Sequence, residues 1–209
     1  LIYSLVFIVI LKSKWGLTES SEDFVLLLFL GLIIHKMIAD VLADGPLLII
    51  NNTNYVKKII FPIEILSIVH LIVSTLQAII SIIIWLCAYY YLHGSINLNS
   101  FYIFIIYICY VPLLLGLSLI ISSLGVFFRD IHQVSTLIST ALLFLTPIFY
   151  SLNSAPSLLQ NILSINPLTF IVEQSRLAMF YNLDLSMNLL TNYFIGSFIF
   201  LLLSIAFYK

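Results

Sequence analysis

The stretch GVFFRDIHQV, residues 125–134, places a positive and a negative residue side by side between two long apolar runs. The flanking runs, residues 100–124 and 135–150, are rich in leucine, isoleucine and phenylalanine. About 20 apolar residues cross the hydrocarbon of a bilayer as a helix, and a charge inside that layer is costly. The stretch therefore predicts a turn between two membrane helices, with Arg129 and Asp130 at the membrane surface.

The composition extends this prediction to the whole chain. Of its 209 residues, 62% are hydrophobic and 8% are charged, whereas a soluble domain carries about 25% charged residues. A surface that faces water cannot be covered with so few charged residues. The bilayer is therefore the expected solvent. The net charge of −1 argues against nucleic acid as a partner, because nucleic acid needs a clustered basic face. The composition is uniform, which predicts one membrane domain over residues 1–209.

The apolar runs predict an all-α integral membrane protein with six transmembrane helices. The predicted spans are residues 1–12, 24–44, 65–92, 101–128, 134–150 and 189–208. Leu1 stands inside an apolar run of eleven residues, so we expect the first span to begin before it. Residues 154–165 and 166–182 are each too short to cross, and they predict a re-entrant helical hairpin before the last span. Such an element persists only where it is buried in protein or lines a cavity.

The second predicted span carries charges in its interior. Lys36, Asp40 and Asp44 are spaced four residues apart, so they share one helical face. This face must look into a protein interior, a hydrated path or a headgroup region, because a buried charge costs on the order of 3 kcal/mol even on the lenient insertion scale. Two interpretations are open: an ion pair between Lys36 and Asp40 that supports packing, or a polar stripe along a path.

Two further predictions come from the sequence around the opening stretch. Ser118, Ser122 and Gly125 follow helical spacing, and small residues on one face let helices pack closely. Asp130 stands where it can cap the next helix and complement its positive end. With six spans, the turn that contains Arg129 lies on the same side of the membrane as Lys57 and Lys58.

The sequence contains no recognisable catalytic, cofactor or metal site. The four histidines, His35, His70, His93 and His132, fall on different predicted spans and edges. Charges cluster at span ends, which disfavours an ion-coupled carrier with a site at the membrane midplane. The chain has no soluble nucleotide-binding domain, so powered transport would use an ion gradient or a partner protein.

Five short motifs, in order along the chain, carry a resemblance to a known family. They are NNTNYVKKIIFPIEIL at 51–66, FRDI at 128–131, TPIFY at 146–150, NPLT at 166–169 and Arg176. In their order and spacing they resemble the ABC type-2 permeases of the polysaccharide exporter family, which move O-antigen, capsule or teichoic-acid chains on a lipid carrier. The chain departs from the pattern at Ile63, where the family often has arginine, and at His35 and Lys36, where it often has tryptophan. The family's interface helix would precede Leu1.

The resemblance implies a homodimer of permeases in the bacterial inner membrane, working with two copies of an ABC ATPase. Its substrate would be an undecaprenyl-linked glycan, and the permease itself would need no cofactor. The segment that couples to the ATPase would contain Asn52, Asn54, Tyr55, Val56, Lys57 and Lys58. The cytoplasmic gate would contain Arg129, Asp130 and His132. We expect the exit of the channel to be lined by Phe149, Tyr150, Asn166, Pro167 and Arg176. An equal alternative is that Phe149 and Tyr150 anchor the chain at the membrane interface.

There are three alternative functions to polysaccharide export. A drug or small-lipid exporter of the same superfamily would share the fold and the partner. A membrane-bound polysaccharide polymerase or acyltransferase would need reactive residues in large outer loops, and the predicted loops here are short. A purely structural membrane scaffold would have no ATPase partner.

Overall fold

The computed structural model describes residues 21–54, 62–128 and 130–208, and all regular elements in these ranges are helical. The α-helices are α1 Ser21–Asp44, α2 Leu48–Asn51, α3 Glu64–His93, α4 Tyr102–Phe127, α5 Ile131–Phe144, α6 Ser157–Ile165, α7 Pro167–Met179 and α8 Met187–Tyr208. Short 3-10 turns occupy Gly45–Leu47, Leu98–Phe101 and Leu152–Ser154. The prediction of an all-α protein is confirmed for the described residues.

Four helical stretches in the described part are long and apolar enough to cross a membrane. They are Glu22–Asn51, Glu64–His93, Leu98–Phe127 and Met187–Tyr208. These correspond to the predicted second, third, fourth and last spans. The predicted first span, residues 1–12, lies outside the described residues, so a total of six spans stays a prediction.

The predicted fifth span, residues 134–150, differs from the structure. Helix α5 contains 14 residues, which is about 21 Å at 1.5 Å per residue and less than the ~30 Å of hydrocarbon. The helix ends at Phe144, and residues 145–150 are not helical. Pro147 explains the early end, because proline lacks a backbone N–H and disfavours helical geometry in the residue before it.

Helix α1 lies at the centre of the helix packing, where it contacts α3, α5 and α7. Leu27, Leu30 and Ile34 on α1 are fully buried, as expected of a helix surrounded by others. The His35 ring places Nε2 3.1 Å from the carbonyl oxygen of Ser139 on α5. Helix α4 packs most extensively along α8. At the centre of the described structure, α1 is therefore packed against the short helix α5.

The predicted small-residue face of α4 is confirmed as a close-packing face. Ser118 and Ser122 are fully buried, and Gly125 stands against the turn that follows α1. A Cβ atom at Gly125 would overlap the carbonyl group of Pro46. The turn and α4 can therefore approach this closely only because position 125 has no side chain.

Helices α6 and α7 occupy the residues of the predicted re-entrant hairpin. They have 9 and 13 residues, so neither could cross the hydrocarbon alone. Helix α7 is mostly buried against α4 and α1, whereas α6 is mostly exposed. The depth of this pair in the membrane stays a prediction.

Candidate functional site

The non-helical residues 145–150, here called the exit segment, connect α5 to the chain before α6. Thr146 and Ile148 are fully buried. The Phe149 ring lies 5.8 Å from the Phe144 ring, centroid to centroid, and the Tyr150 hydroxyl donates to the Phe144 carbonyl at 3.0 Å. Burial raises the pKa of the Tyr150 phenol, so this group stays a neutral hydrogen-bond donor at ordinary pH. The two predicted aromatic residues thus fold back over the end of α5.

Arg176 on α7 holds the exit segment from inside the protein. Its side chain is 1% exposed. Nη1 donates to the Pro147 carbonyl at 2.5 Å, and Nη2 donates to the Ile148 carbonyl at 3.1 Å. Both Nε and Nη2 lie within 3.4 Å of the Leu27 carbonyl on α1. One guanidinium therefore joins α1, the exit segment and α7, and we call this set of bonds the Arg176 clamp.

The charge of the clamp is balanced by Glu173. Arg176 Nη1 lies 3.0 Å from Glu173 Oε1, one helical turn earlier on α7. Glu173 is 32% exposed at its side chain. A guanidinium stays ionised in proteins, and a buried ion needs a counter-charge and hydrogen bonds to every donor. The carbonyls and Glu173 together meet this requirement, so the buried charge is compatible with a stable fold.

Asn166 supports the same segment from the start of α7. Its Oδ1 accepts from the Leu168 N–H at 3.0 Å, which caps the helix. Its Nδ2 donates to the Leu145 carbonyl and to Thr146 Oγ1, each at 3.1 Å. Pro167 occupies the first turn of α7, where its missing N–H has no cost. Asn166 and Arg176 therefore hold the two ends of one stretch, 145–148.

The predicted gate residues lie at the opposite end of α5. Asp130 is exposed and stands at the N-cap position, but its side chain makes no capping hydrogen bond within the described structure. The predicted side-chain cap is therefore wrong, because the backbone of Asp130 is helical (φ −77°, ψ −8°) rather than in the extended geometry that a cap requires. His132 is half-buried. Arg129 lies outside the described residues.

The predicted coupling segment is described only at its beginning. Asn52 ends the short helix α2, and its Nδ2 donates to the Leu48 carbonyl at 2.8 Å. Asn54 is exposed. Tyr55, Val56, Lys57 and Lys58 lie outside the described residues. Helix α2 separates this segment from the turn whose Pro46 packs on Gly125 of α4.

The charges of the second predicted span form the expected pair and also bridge two helices. Lys36 Nζ lies 2.7 Å from Asp40 Oδ1, which confirms the intrahelical ion pair. Ser74 on α3 donates to Asp40 Oδ2 at 3.2 Å, and His70 Nε2 lies 3.3 Å from Asp44 Oδ2. The polar face of α1 thus looks toward α3. Its role along a transport path stays a prediction.

Comparison with known proteins decides the family. Residues 1–180 match the profile of the ABC-2 type transporter membrane family. The chain belongs to the ABC-2 type transporters. Over 189 residues it is also 25% identical to the O-antigen export system permease protein RfbA of Klebsiella pneumoniae, covering 90% of this chain and 72% of that protein. The resemblance read from the sequence motifs is therefore confirmed.

Membership in the ABC-2 transporters fixes the coarse role of the chain. It is a transport subunit with several membrane helices, and ATP hydrolysis takes place in a partner ATPase subunit. In this ABC-2 permease, Asn166 and Arg176 both bind the exit segment, to which Phe149 and Tyr150 also belong, and Pro167 follows Asn166 at the start of α7. The coupling and gate residues lie apart from this cluster.

Apart from the residues whose carbonyls bind Arg176, two neighbours of its side chain, Glu173 and Gly31, were also not among the predicted site residues. Glu173 could have been found, because a carboxylate three residues before an arginine on a helix can pair with it. Gly31 could not, because it stands in an uninterrupted apolar run. A Cβ atom there would lie 3.1 Å from Arg176 Nη2 and 3.2 Å from Ile148 Cγ2. Gly31 therefore leaves the space through which the guanidinium reaches α1.

Proposed function

We propose that this ABC-2 permease exports a lipid-linked polysaccharide, of the O-antigen or capsule kind, across the bacterial inner membrane. Two copies would form the conduit and two ATPase subunits would drive it from the cytoplasm. The coupling segment, residues 52–58, would contact the ATPase, and Arg129, Asp130 and His132 would form the cytoplasmic gate. The relationship to an O-antigen export permease over 90% of the chain supports the choice of substrate.

The observation that carries the proposal is the exposed polar face of α5. Gln133, Thr136 and Thr140 share one face of this helix, and all three are exposed, as is Leu137 between them. The opposite face, with Ser135 and Ser139, is buried. An exposed glutamine amide is unfavourable against lipid, because it finds no hydrogen-bond partner there. A hydrated wall suits it, since sugar hydroxyls and water both offer hydrogen bonds.

The proposed wall leads from the gate to the exit. It begins next to Asp130 and ends at Phe144, where the exit segment turns back with Phe149 and Tyr150. Aromatic rings offer an apolar face, and tyrosine adds a polar group, which suits the alternating surface of a sugar ring. In this proposal the Arg176 clamp positions the exit segment and does not itself contact the glycan.

Deletion of the gene tests the proposal directly. We expect polymerised glycan on its lipid carrier to accumulate on the cytoplasmic face and to disappear from the cell surface. A strain with a hydrolysis-deficient partner ATPase is the matched control, and it should show the same accumulation. Unchanged surface glycan would contradict the proposal. Accumulation of single, unpolymerised repeat units would indicate a polymerase, and a change in drug sensitivity alone would indicate a drug exporter.

A further inference from the structure

A lengthwise groove lies between α1 and α3, outside the clamp and the exit segment. It consists of two cavities of about 460 and 170 Å³. Both are lined by Phe29, Ile33 and Ser81, so they lie next to each other along the two helices. The groove extends from Glu22 at the start of α1 to Asp40 near its end. It is therefore a place where a long, thin molecule could lie along the helices.

The chemistry of the groove changes along its length. The part near the start of α1 is apolar. Its lining includes Val25, Phe29, Ile33, Ile84, Ala88 and Leu92. The part near the end of α1 carries Lys36, Asp40, Ser74 and Gln77. The change takes place within one helical turn, between Ile33 and Lys36. An occupant that satisfies both parts is an amphiphile with an apolar chain and a polar head.

The polar part presents one positive and one negative group side by side. Lys36 Nζ lies 2.7 and 2.8 Å from the two carboxylate oxygens of Asp40. The Lys36 side chain is 58% exposed, and an ammonium has three N–H donors, so one donor remains for a ligand. A headgroup with a negative charge alone would be repelled by Asp40. A zwitterionic headgroup matches the pair, with its phosphate at Lys36 and its ammonium at Asp40.

The length of the groove fits a chain from one leaflet. Glu22 and Lys36 are 14 residues apart on one helix, which is about 21 Å at 1.5 Å per residue. One leaflet contributes about half of the ~30 Å of hydrocarbon. An acyl chain whose headgroup lies beside Lys36 therefore ends within the apolar part of the groove. The headgroup then lies in the leaflet at the Asp44 end of α1.

We propose that the groove between α1 and α3 binds a zwitterionic phospholipid with a primary ammonium headgroup. The phosphate contacts Lys36, the ammonium contacts Asp40, and one acyl chain lies against Phe29, Ile33 and Ile84. The apolar part supplies affinity through burial of the acyl chain, and the ion pair supplies selectivity. This site is separate from the proposed path for glycan, and its test does not depend on transport.

Trp85 is a natural reporter for this site, because it lines the apolar part of the groove. Its indole N–H donates to the Leu26 carbonyl at 2.8 Å, which fixes the ring in place. The experiment uses the full-length permease in which every tryptophan except Trp85 is replaced by phenylalanine. The protein is reconstituted in vesicles that contain either phosphatidylethanolamine or phosphatidylglycerol with bromine atoms at mid-chain. Bromine quenches tryptophan fluorescence on contact.

We expect brominated phosphatidylethanolamine to quench Trp85 more strongly than brominated phosphatidylglycerol at equal content. Lys36→Gln should remove this preference. Ala88→Phe should fill the groove and remove most of the quenching, whereas Ala206→Phe, on an exposed face of α8, should not. Equal quenching by both lipids in the unmodified groove would overturn the proposal in favour of ordinary contact with bulk lipid. Absence of quenching by either lipid would overturn it in favour of a protein segment as the occupant.

Discussion

A single residue, Arg176, sets the relative position of three parts of the chain: α1, the exit segment and α7. Its guanidinium binds carbonyl groups of Leu27, Pro147 and Ile148, and Glu173 balances its charge. In the buried environment, neither these carbonyls nor the guanidinium can form hydrogen bonds with water instead. The contribution of Arg176 to stability should therefore differ from that of a cation at the surface.

We predict that Arg176→Met destabilises the permease by about 3–5 kcal/mol, because three buried carbonyls would lose their donor at about 1–3 kcal/mol each. Arg176→Lys should recover only part of this loss. The planar guanidinium binds carbonyls on α1 and on the exit segment at the same time, and a single ammonium nitrogen cannot reach both. The matched control is Lys36→Met, which removes an ammonium that is 58% exposed and leaves Asp40 with the Ser74 hydroxyl, so it should cost about 0–1 kcal/mol. The measurement is the free energy of unfolding of the purified permease in denaturant. Equal losses for Arg176→Met and Lys36→Met would refute the clamp.

Gly125 supports a second prediction at the scale of one residue. A methyl group at this position would overlap the carbonyl of Pro46, so Gly125→Ala should cost about 1–3 kcal/mol through overpacking. Gly196 on α8 provides the control, because a Cβ atom there would have no neighbour within 4 Å among the described residues. Gly196→Ala should be neutral or slightly stabilising, since alanine favours helix over glycine. Thermal unfolding of both variants measures the difference, and similar melting temperatures would contradict the close contact.

At the scale of elements, the shortness of α5 sets the geometry of the candidate exit. The helix stops at Phe144 and Pro147 prevents its continuation. The exit segment then reaches back to α7, where Asn166 caps the helix and holds Leu145. The end of α5 and the start of α7 are therefore held together by one side chain.

We predict that Asn166→Ala loosens both elements at once. Loss of a helix cap typically costs about 1 kcal/mol, and the Leu145 carbonyl and Thr146 hydroxyl would lose a donor in addition. Asn161→Ala is the control, because Asn161 is exposed on α6. Hydrogen exchange measured by mass spectrometry should rise in peptides that cover residues 145–150 and the first turn of α7. A rise confined to α7 would show that the bond to Leu145 has no effect.

The sequence allowed the long helices to be predicted, but it could not define the clamp. The apolar runs specify α1, α3, α4 and α8 because twenty or more apolar residues have few alternatives to a membrane helix. The motif TPIFY indicated an interruption, yet the prediction continued the fifth span to Tyr150. The bond from Arg176 to Leu27 joins residues 149 positions apart. No local pattern specifies which carbonyl a distant arginine will reach.

At the scale of the whole molecule, the proposed coupling to the ATPase depends on the segment after α2. We predict that the double change Lys57→Glu and Lys58→Glu weakens association with the ATPase, because it reverses the charge of the proposed contact surface. Folded permease should remain at its normal level. Lys12→Glu with Lys14→Glu is the matched control, since these lysines follow the predicted first span and are separated from Lys57 and Lys58 by one predicted membrane crossing. Co-purification of the ATPase and export of glycan are the two readouts.

If both readouts are unchanged in the first double variant, the coupling segment has been assigned to the wrong residues. If both double variants lose the ATPase equally, the effect belongs to total charge and not to the segment. Only loss in the first variant alone supports the proposed contact.

The Arg176 clamp also has a consequence for how the protein is made. Leu27 is synthesised early and Arg176 late, and the exit segment comes between them. The bonds that fix this segment cannot form until residue 176 has left the ribosome and entered the membrane. Until then the exit segment is not tied to α1 or to α7, so a residue in the last third of the chain completes a contact with the first third.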